Sequence, residues 1–402
     1  MTAGLVLLAG AAGGACGISS QGASSGGTWA GADAGGASPP AGDDAATDAP
    51  PGSNDGATSD ASGAGGDSAG GGDGGPPHVA SLGYYTGDQG SLDAITAFHA
   101  DLTMVSADLF DVQTSGALAG SDDLGVIAHD GALGLETFAC ISNYSSSLGD
   151  FDPALGHTAM VTNRDAVVAN IVQLAGTGFD GINIDFESLA YSANVADDRA
   201  AYTAFVHDLS GKLHAAGKKL VLSVASKTSD VATDTWGYPY DYAALAPDVD
   251  YLQLMTYDEN GPGWSGPGPV SGADWVKSCV AYAVSVVSPS KLLIGLPAYG
   301  YDWDLTASTP ASNKYVGTSV SWKDLGPVLA AAGATTHWDA ASSTPYVDYT
   351  AADGHHHEAW YDDPQSIAAK SKLVTQYGLA GLSMWSLGQE DASFWQAAYA
   401  GL

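Results

Sequence analysis

From Phe179 to Glu187 apolar and polar positions alternate: in an extended strand Ile182, Ile184 and Phe186 share one face, while Asn183, Asp185 and Glu187 share the other. Seven further apolar runs of strand length lie near 79–86, 102–109, 133–141, 219–226, 250–257, 291–299 and 379–386, with 180–187 fourth in chain order. Between them the period shifts to 3.6 residues, predicting helices at 165–178 and 197–216 and from Asp274 to Val286. Strands alternating with helices imply a parallel sheet covered on its outer side. The oily face of 182–186 should therefore meet helices, and the acidic face should look into a barrel mouth. One gap, about 304–360, exceeds an ordinary loop and predicts its own helix (Ser321 to Ala332) and strand (Tyr346 to Thr350).

Carboxylates two residues apart on one face repel, and the repulsion raises the proton affinity of at least one. Glu187 is the candidate proton donor. The segment resembles the D-x-x-D-x-D-x-E signature of glycoside hydrolase family 18, the chitinase and N-acetylglucosaminidase family, with Asp180, Asn183, Asp185 and Glu187 at its four positions. Three further stretches follow in that family's order: Met255-Thr256-Tyr257-Asp258, Gly295-Leu296-Pro297-Ala298-Tyr299-Gly300 and Gly381-Leu382-Ser383-Met384-Trp385-Ser386. Asn183 in place of the second Asp, and His357-Glu358-Ala359-Trp360, most resemble the spore-cortex-lytic branch, which cleaves peptidoglycan glycan strands.

The resemblance implies an α/β fold: a TIM (β/α)8 barrel over residues 78–402, with an α+β insertion after strand seven that walls the substrate cleft. It implies a retaining hydrolase of β-1,4-linked N-acetylglucosamine polymers, with peptidoglycan slightly ahead of chitin, in which the substrate's own acetamido group attacks. On this reading Glu187 is acid and then base, Asp185 holds the acetamido nitrogen, and the Tyr257 hydroxyl bonds the acetamido oxygen. Trp385 forms the floor of the cleaved subsite. Asn183 can still donate a hydrogen bond to Asp185 but cannot accept its proton or add charge. Further cleft candidates are Tyr84, Tyr85, Asn143, Asp258, Glu259, Trp360 and Tyr361, while Asp180 and Gly181 are structural within the motif. No cofactor or metal is called for; adjacent His355, His356 and His357 read as a solvated loop and make a poor chelate. The rival reading is a catalytically silent, lectin-like barrel, against which stands the retention of Glu187.

Composition divides the chain near residue 78. Residues 17–77 are almost wholly Gly, Ala, Ser, Asp, Pro and Thr and predict a disordered tether, with a reach of roughly 40 Å as a flexible coil. Before it, residues 1–16 read as a signal peptide, and Gly14-Ala15-Cys16 resembles a lipobox end, making Cys16 the lipidation candidate. Export from a bacterial cell follows, as an envelope lipoprotein or otherwise secreted. With Cys16 lipidated, Cys140 and Cys279 are expected as buried thiols. The formal charge is −33; removing the eight Asp of residues 1–78 leaves −25 on the domain, which disfavours nucleic acid and anionic lipid as partners. The expected partner is an N-acetylglucosamine-containing polysaccharide, met by a monomer whose mature chain has no transmembrane helix.

Overall fold

A computed structural model describes residues 79–402, except 234, 235 and 332. Residues 1–78, on which the expected signal peptide, the expected tether and Cys16 fall, lie outside the described residues. Apart from two-residue strands at Leu118–Ala119 and in the hairpin Tyr144–Ser145/Asp150–Phe151, the first seven strands are β1 (Ala80–Tyr85), β2 (Met104–Val112), β3 (Glu136–Ser142), β4 (Gly181–Asp185), β5 (Lys219–Ala225), β6 (Tyr251–Met255) and β7 (Leu292–Pro297). Five more form a separate sheet: β8 (Tyr299–Thr309), β9 (Lys314–Ser321), β10 (Thr335–Asp339), β11 (Thr344–Thr350) and β12 (His356–Trp360). The last is β13 (Gly381–Trp385). β1 to β7 and β13 pair in parallel, and β1 bonds both β2 and β13, so the sheet closes into an eight-stranded barrel. Helices α1 (Gln89–Phe98), α2 (Val126–Leu133), α3 (Arg164–Ala175), α4 (Val195–Ala215), α5 (Ala273–Val286), α6 (Pro364–Tyr377) and α7 (Ala392–Ala400) cover it. Between β5 and β6 the helical cover shrinks to short turns over Tyr242–Leu245 and Ala246–Asp248. This is the (β/α)8 barrel expected from the alternation.

The alternation in β4 explains its packing. Ile182, Ile184 and Phe186 are fully buried toward the helices, where the Phe186 ring stacks on Phe205 of α4 at 5.7 Å. Gly181 has no room for a side chain, since a Cβ would lie 2.4 Å from the Phe138 ring. Below it, Asp180 accepts the Thr137 N–H at 2.9 Å and ties the start of β4 to β3.

The insertion is more β-rich than its sequence suggests. The apolar run at 291–299 is two strands: β7 stops at Pro297, and Ala298 is the pivot, its N–H bonding Trp385 O and its carbonyl accepting Trp322 N–H, both at 2.8 Å. The helix expected from Ser321 to Ala332 is only a 3-10 turn (Trp322–Asp324) and one α-turn (Gly326–Leu329). Pro327 lacks an N–H and its ring would clash with the carbonyl four residues back, so it is tolerated in the first turn of Gly326–Leu329 but the helix cannot extend back from it to Ser321. The histidine triplet is not a solvated loop. His356 opens β12, His355 pairs with Asp304 at 2.7 Å, and His357 pairs with Asp302 at 3.0 Å. Asp363 then caps α6 by a reciprocal bond with Ser366, returning the chain to the barrel. Cys140 and Cys279 are buried as reduced thiols. No helix among the described residues is long and apolar enough to cross a membrane.

Candidate active site

Inside the barrel a belt of polar side chains joins strand to strand. Asn183 on β4 is wholly buried, and its Nδ2 lies 3.1 Å from Tyr84 Oη, 3.0 Å from Ser106 Oγ and 3.1 Å from Ser223 Oγ. Tyr84 shares a 2.7 Å bond with Ser223 and donates to Gln253 Oε1 at 3.2 Å. Gln253 in turn donates to Ser383 Oγ at 2.9 Å and reaches the Tyr257 hydroxyl at 3.5 Å. Buried polar groups are costly unless bonded, so this belt fixes which side chains can stand above it.

Above the belt, β4 ends at Asp185, and Phe186 and Glu187 continue beyond the strand that the alternation predicted to include them. Ser188 then turns the chain in the left-handed region at φ 58, a strained conformation for a residue with a Cβ. Burial pushes the Asp185 carboxyl up to about 7. Glu187 is raised well above the ordinary range, first by burial and then by the charges of Asp185, Asp258, Asp150 and Asp108. Both carboxyls are thus pushed toward their protonated forms, Glu187 by burial and by four neighbouring acids and Asp185 by burial alone.

Facing them, Tyr257 follows β6, and burial raises its hydroxyl's proton affinity well above the ordinary value, with contributions from Tyr84, Asp185 and Glu187. Gly295 on β7 makes room for it, because a Cβ there would lie 2.6 Å from the Tyr257 ring. Asp258, at φ 59, accepts both the Tyr299 and Tyr301 hydroxyls, at 2.7 and 2.8 Å. Those tyrosines begin β8, so the insertion is bonded directly to the mouth. Trp385 ends β13 through a cis peptide to Ser386 and lies 5.2 Å from the Tyr84 ring. Trp385, Tyr84, Tyr299, Tyr301 and Trp303 form one aromatic cluster, against which Tyr257 and Trp360 pack.

The family model for glycosyl hydrolases family 18 matches residues 133–390. The chain belongs to that family. A glycosylase of Bacillus subtilis named YvbX, described as uncharacterized, is 32% identical over 319 residues, spanning 79% of this chain and 89% of the relative. The crystal structure of a chitinase from Chromobacterium violaceum superposes with a TM-score of 0.73 at 35% identity, covering 80% of this chain and 98% of that one. The cortical fragment-lytic enzyme of Bacillus subtilis is 32% identical over 223 residues, 54% of this chain and 48% of the enzyme.

The structure gathers Glu187, Asp185, Tyr257, Asp258 and Trp385 at the mouth, over Asn183. It takes other candidates elsewhere. Tyr85 points outward into the helical layer, where Asp122 and Asp88 are its charged neighbours; the inward tyrosine is Tyr84. Glu259 accepts the Gly272 N–H at 2.8 Å, and burial pushes its carboxyl up to about 7, with the buried Lys370 nearby. Tyr361 sits in the core on the far side of the insertion sheet, with Leu325 and Val347. Trp360 stays on the cleft side, stacked on Tyr346 at 4.5 Å, with its Nε1 bonded to Glu358 at 2.6 Å. Asn143 is buried, its amide engaged by the main chain of Glu187. Sequence reasoning passed over Gln253, Tyr240, Tyr299 and Tyr301. For the last two the Tyr-x-Tyr spacing after Ala298 was the available signal, since it places both hydroxyls on one face.

Proposed function

We propose that the protein is a retaining glycosidase that cuts β-1,4-linked N-acetylglucosamine polymers by substrate assistance. The observation that carries this reading is the pairing of Asp185 and Glu187 on one side of the mouth, both with raised proton affinity, while Asp258 takes two tyrosine hydroxyls on its Oδ1. An ordinary retaining enzyme needs a second carboxylate as nucleophile on the opposite side of the scissile bond. Here the substrate's 2-acetamido oxygen takes that part. Glu187, protonated, gives its proton to the leaving oxygen and afterwards takes one from water. Asp185 accepts the acetamido N–H and balances the positive intermediate, Tyr257 donates to the acetamido oxygen, and Trp385 supports the sugar ring.

Sequence alone put peptidoglycan slightly ahead; the site favours chitin-like strands. Asp258, Asp150 and Asp108 all raise the proton affinity of Glu187; burial also pushes Asp108 and Asp258 toward their neutral forms, so it is Asp150 that would repel a muramoyl lactyl or peptide carboxylate. The 35% identity to a chitinase over 80% of the chain supports the same choice. The test offers chitin oligomers, peptidoglycan and fully deacetylated polymer, and follows the first product's anomer by NMR. Retention with acetylated chains and inertness of the deacetylated one are expected; inversion, or efficient cleavage of the deacetylated chain, would refute substrate assistance. We propose export and anchoring through Cys16 on the leader pattern alone.

A further inference from the structure

β3 and β4 pair up to Ser142 and Asp185, and there the main-chain ladder stops. The next side chain after β3, Asn143, takes over. Its Oδ1 accepts the Glu187 N–H at 2.8 Å and its Nδ2 donates to the Glu187 carbonyl at 2.9 Å, the two bonds a strand partner would make. The same Nδ2 lies 2.9 Å from Asp152 O, and the Asp152 N–H returns to Asn143 O at 2.9 Å. This closes the hairpin that carries Asp150, one of the charges acting on Glu187. Space for the amide comes from Gly156, where a Cβ would sit 3.2 Å from Nδ2 and 2.7 Å from Leu189. From the other side Tyr240, buried in the loop after β5, donates its hydroxyl to the Phe186 carbonyl at 2.6 Å. That loop is itself pinned by the buried Lys227, which bonds Asp230 at 3.0 Å and the carbonyls of Gly237 and Tyr240.

We propose that Asn143 and Tyr240 are positioning residues that hold the Phe186–Glu187 main chain so that the Glu187 carboxyl stays buried and aimed at the leaving oxygen. The inference rests on the function proposed above for Glu187. An acid just past a strand end, followed by a left-handed Ser188, has no ladder to hold it. Two side chains from different loops supply the missing bonds. Freed from them, the carboxyl would gain water and lose proton affinity, and the alkaline limb of kcat, which reports the protonated acid, would move to lower pH.

The test compares wild type, Asn143→Ala and Tyr240→Phe in hydrolysis of a chitooligosaccharide across pH. In parallel, the glutamate carboxyls are titrated by NMR in free, ¹³C-labelled protein; its glutamates are Glu136, Glu187, Glu259, Glu358 and Glu390. Both variants should lower kcat at least about tenfold with KM little changed, within the ~10²-fold that a 1 Å misplacement can cost. Both should also move the Glu187 titration and the alkaline limb to lower pH. Folded variants in which Glu187 titrates as in wild type overturn the proposal, as does a kcat loss with an unmoved limb, the mark of a merely smaller active fraction. Should Asn143→Ala fail to fold, Tyr240→Phe decides, since it keeps the ring against Tyr202 and removes one hydroxyl. If wild type cleaves no N-acetylglucosamine polymer, the function falls, while the NMR titration still decides whether the two side chains hold the carboxyl.

Discussion

Replacing Asp185 by Asn should make the protein inactive and more stable at once. The side chain keeps its shape but can no longer ionise. Burial has moved this carboxyl from an ordinary 3.8 to about 7. At ~1.36 kcal/mol for each tenfold change in proton affinity, that is about 4 kcal/mol of folding free energy lost once Asp185 is ionised, an upper figure for the gain. The sign follows from the direction: proton affinity is higher in the folded protein than in the unfolded chain. Stability is therefore intact below about pH 4, falls as pH rises toward about 7, and stays low above it. With an unfolding entropy of ~2.1 cal/mol/K per residue over ~320 residues, 4 kcal/mol corresponds to a rise in Tm of about 6 °C. Thermal unfolding of both proteins from pH 4 to pH 8 should show curves that coincide in acid and separate with rising pH. Hydrolysis should fall at least about a hundredfold, the usual cost of losing a group that stabilises developing charge. A variant that is no more stable at pH 8, or whose advantage is the same at pH 4, would refute burial as the source of the raised proton affinity.

Glu187→Gln should lower turnover at least about a hundredfold while oligosaccharide binding by calorimetry persists, because the amide keeps the shape and cannot supply a proton; wild-type-like turnover would remove Glu187 from its role. Cys16→Ser should shift the full chain from the membrane to the soluble fraction of a bacterial host without changing activity per molecule, and soluble protein in both forms would refute a lipid anchor.

The barrel was legible because period is a local property. Each apolar run and each 3.6-residue stretch reports its own strand or helix, and the eight strands emerged within a few residues. What was not legible depended on partners distant in sequence. Alternation places Tyr84 and Tyr85 on opposite faces but does not say which face is inward; closure of β1 onto β2 and β13 decides that. Asn143 stands after a strand end like any cleft residue, and only its contact with Glu187, forty-four positions away, shows that its amide is occupied. In the insertion, Leu325, Val328 and Leu329 carry helical spacing, yet Pro327 and the adjoining sheet reduce it to a single turn. Glu259 is inseparable from Asp258 by type, but the left-handed turn at Asp258 sends its neighbour toward Gly272 and Lys370.

The polar belt under the site constrains how this sequence can change. Ser106, Asn183, Ser223, Tyr84, Gln253 and Ser383 are each another's partner, so altering one strands a buried donor or acceptor, at about 1–3 kcal/mol. A lineage can keep the belt whole or exchange it as a block, but single steps lead through weakened intermediates. Directed evolution of the interior would do better to randomise these positions jointly than to scan them one by one.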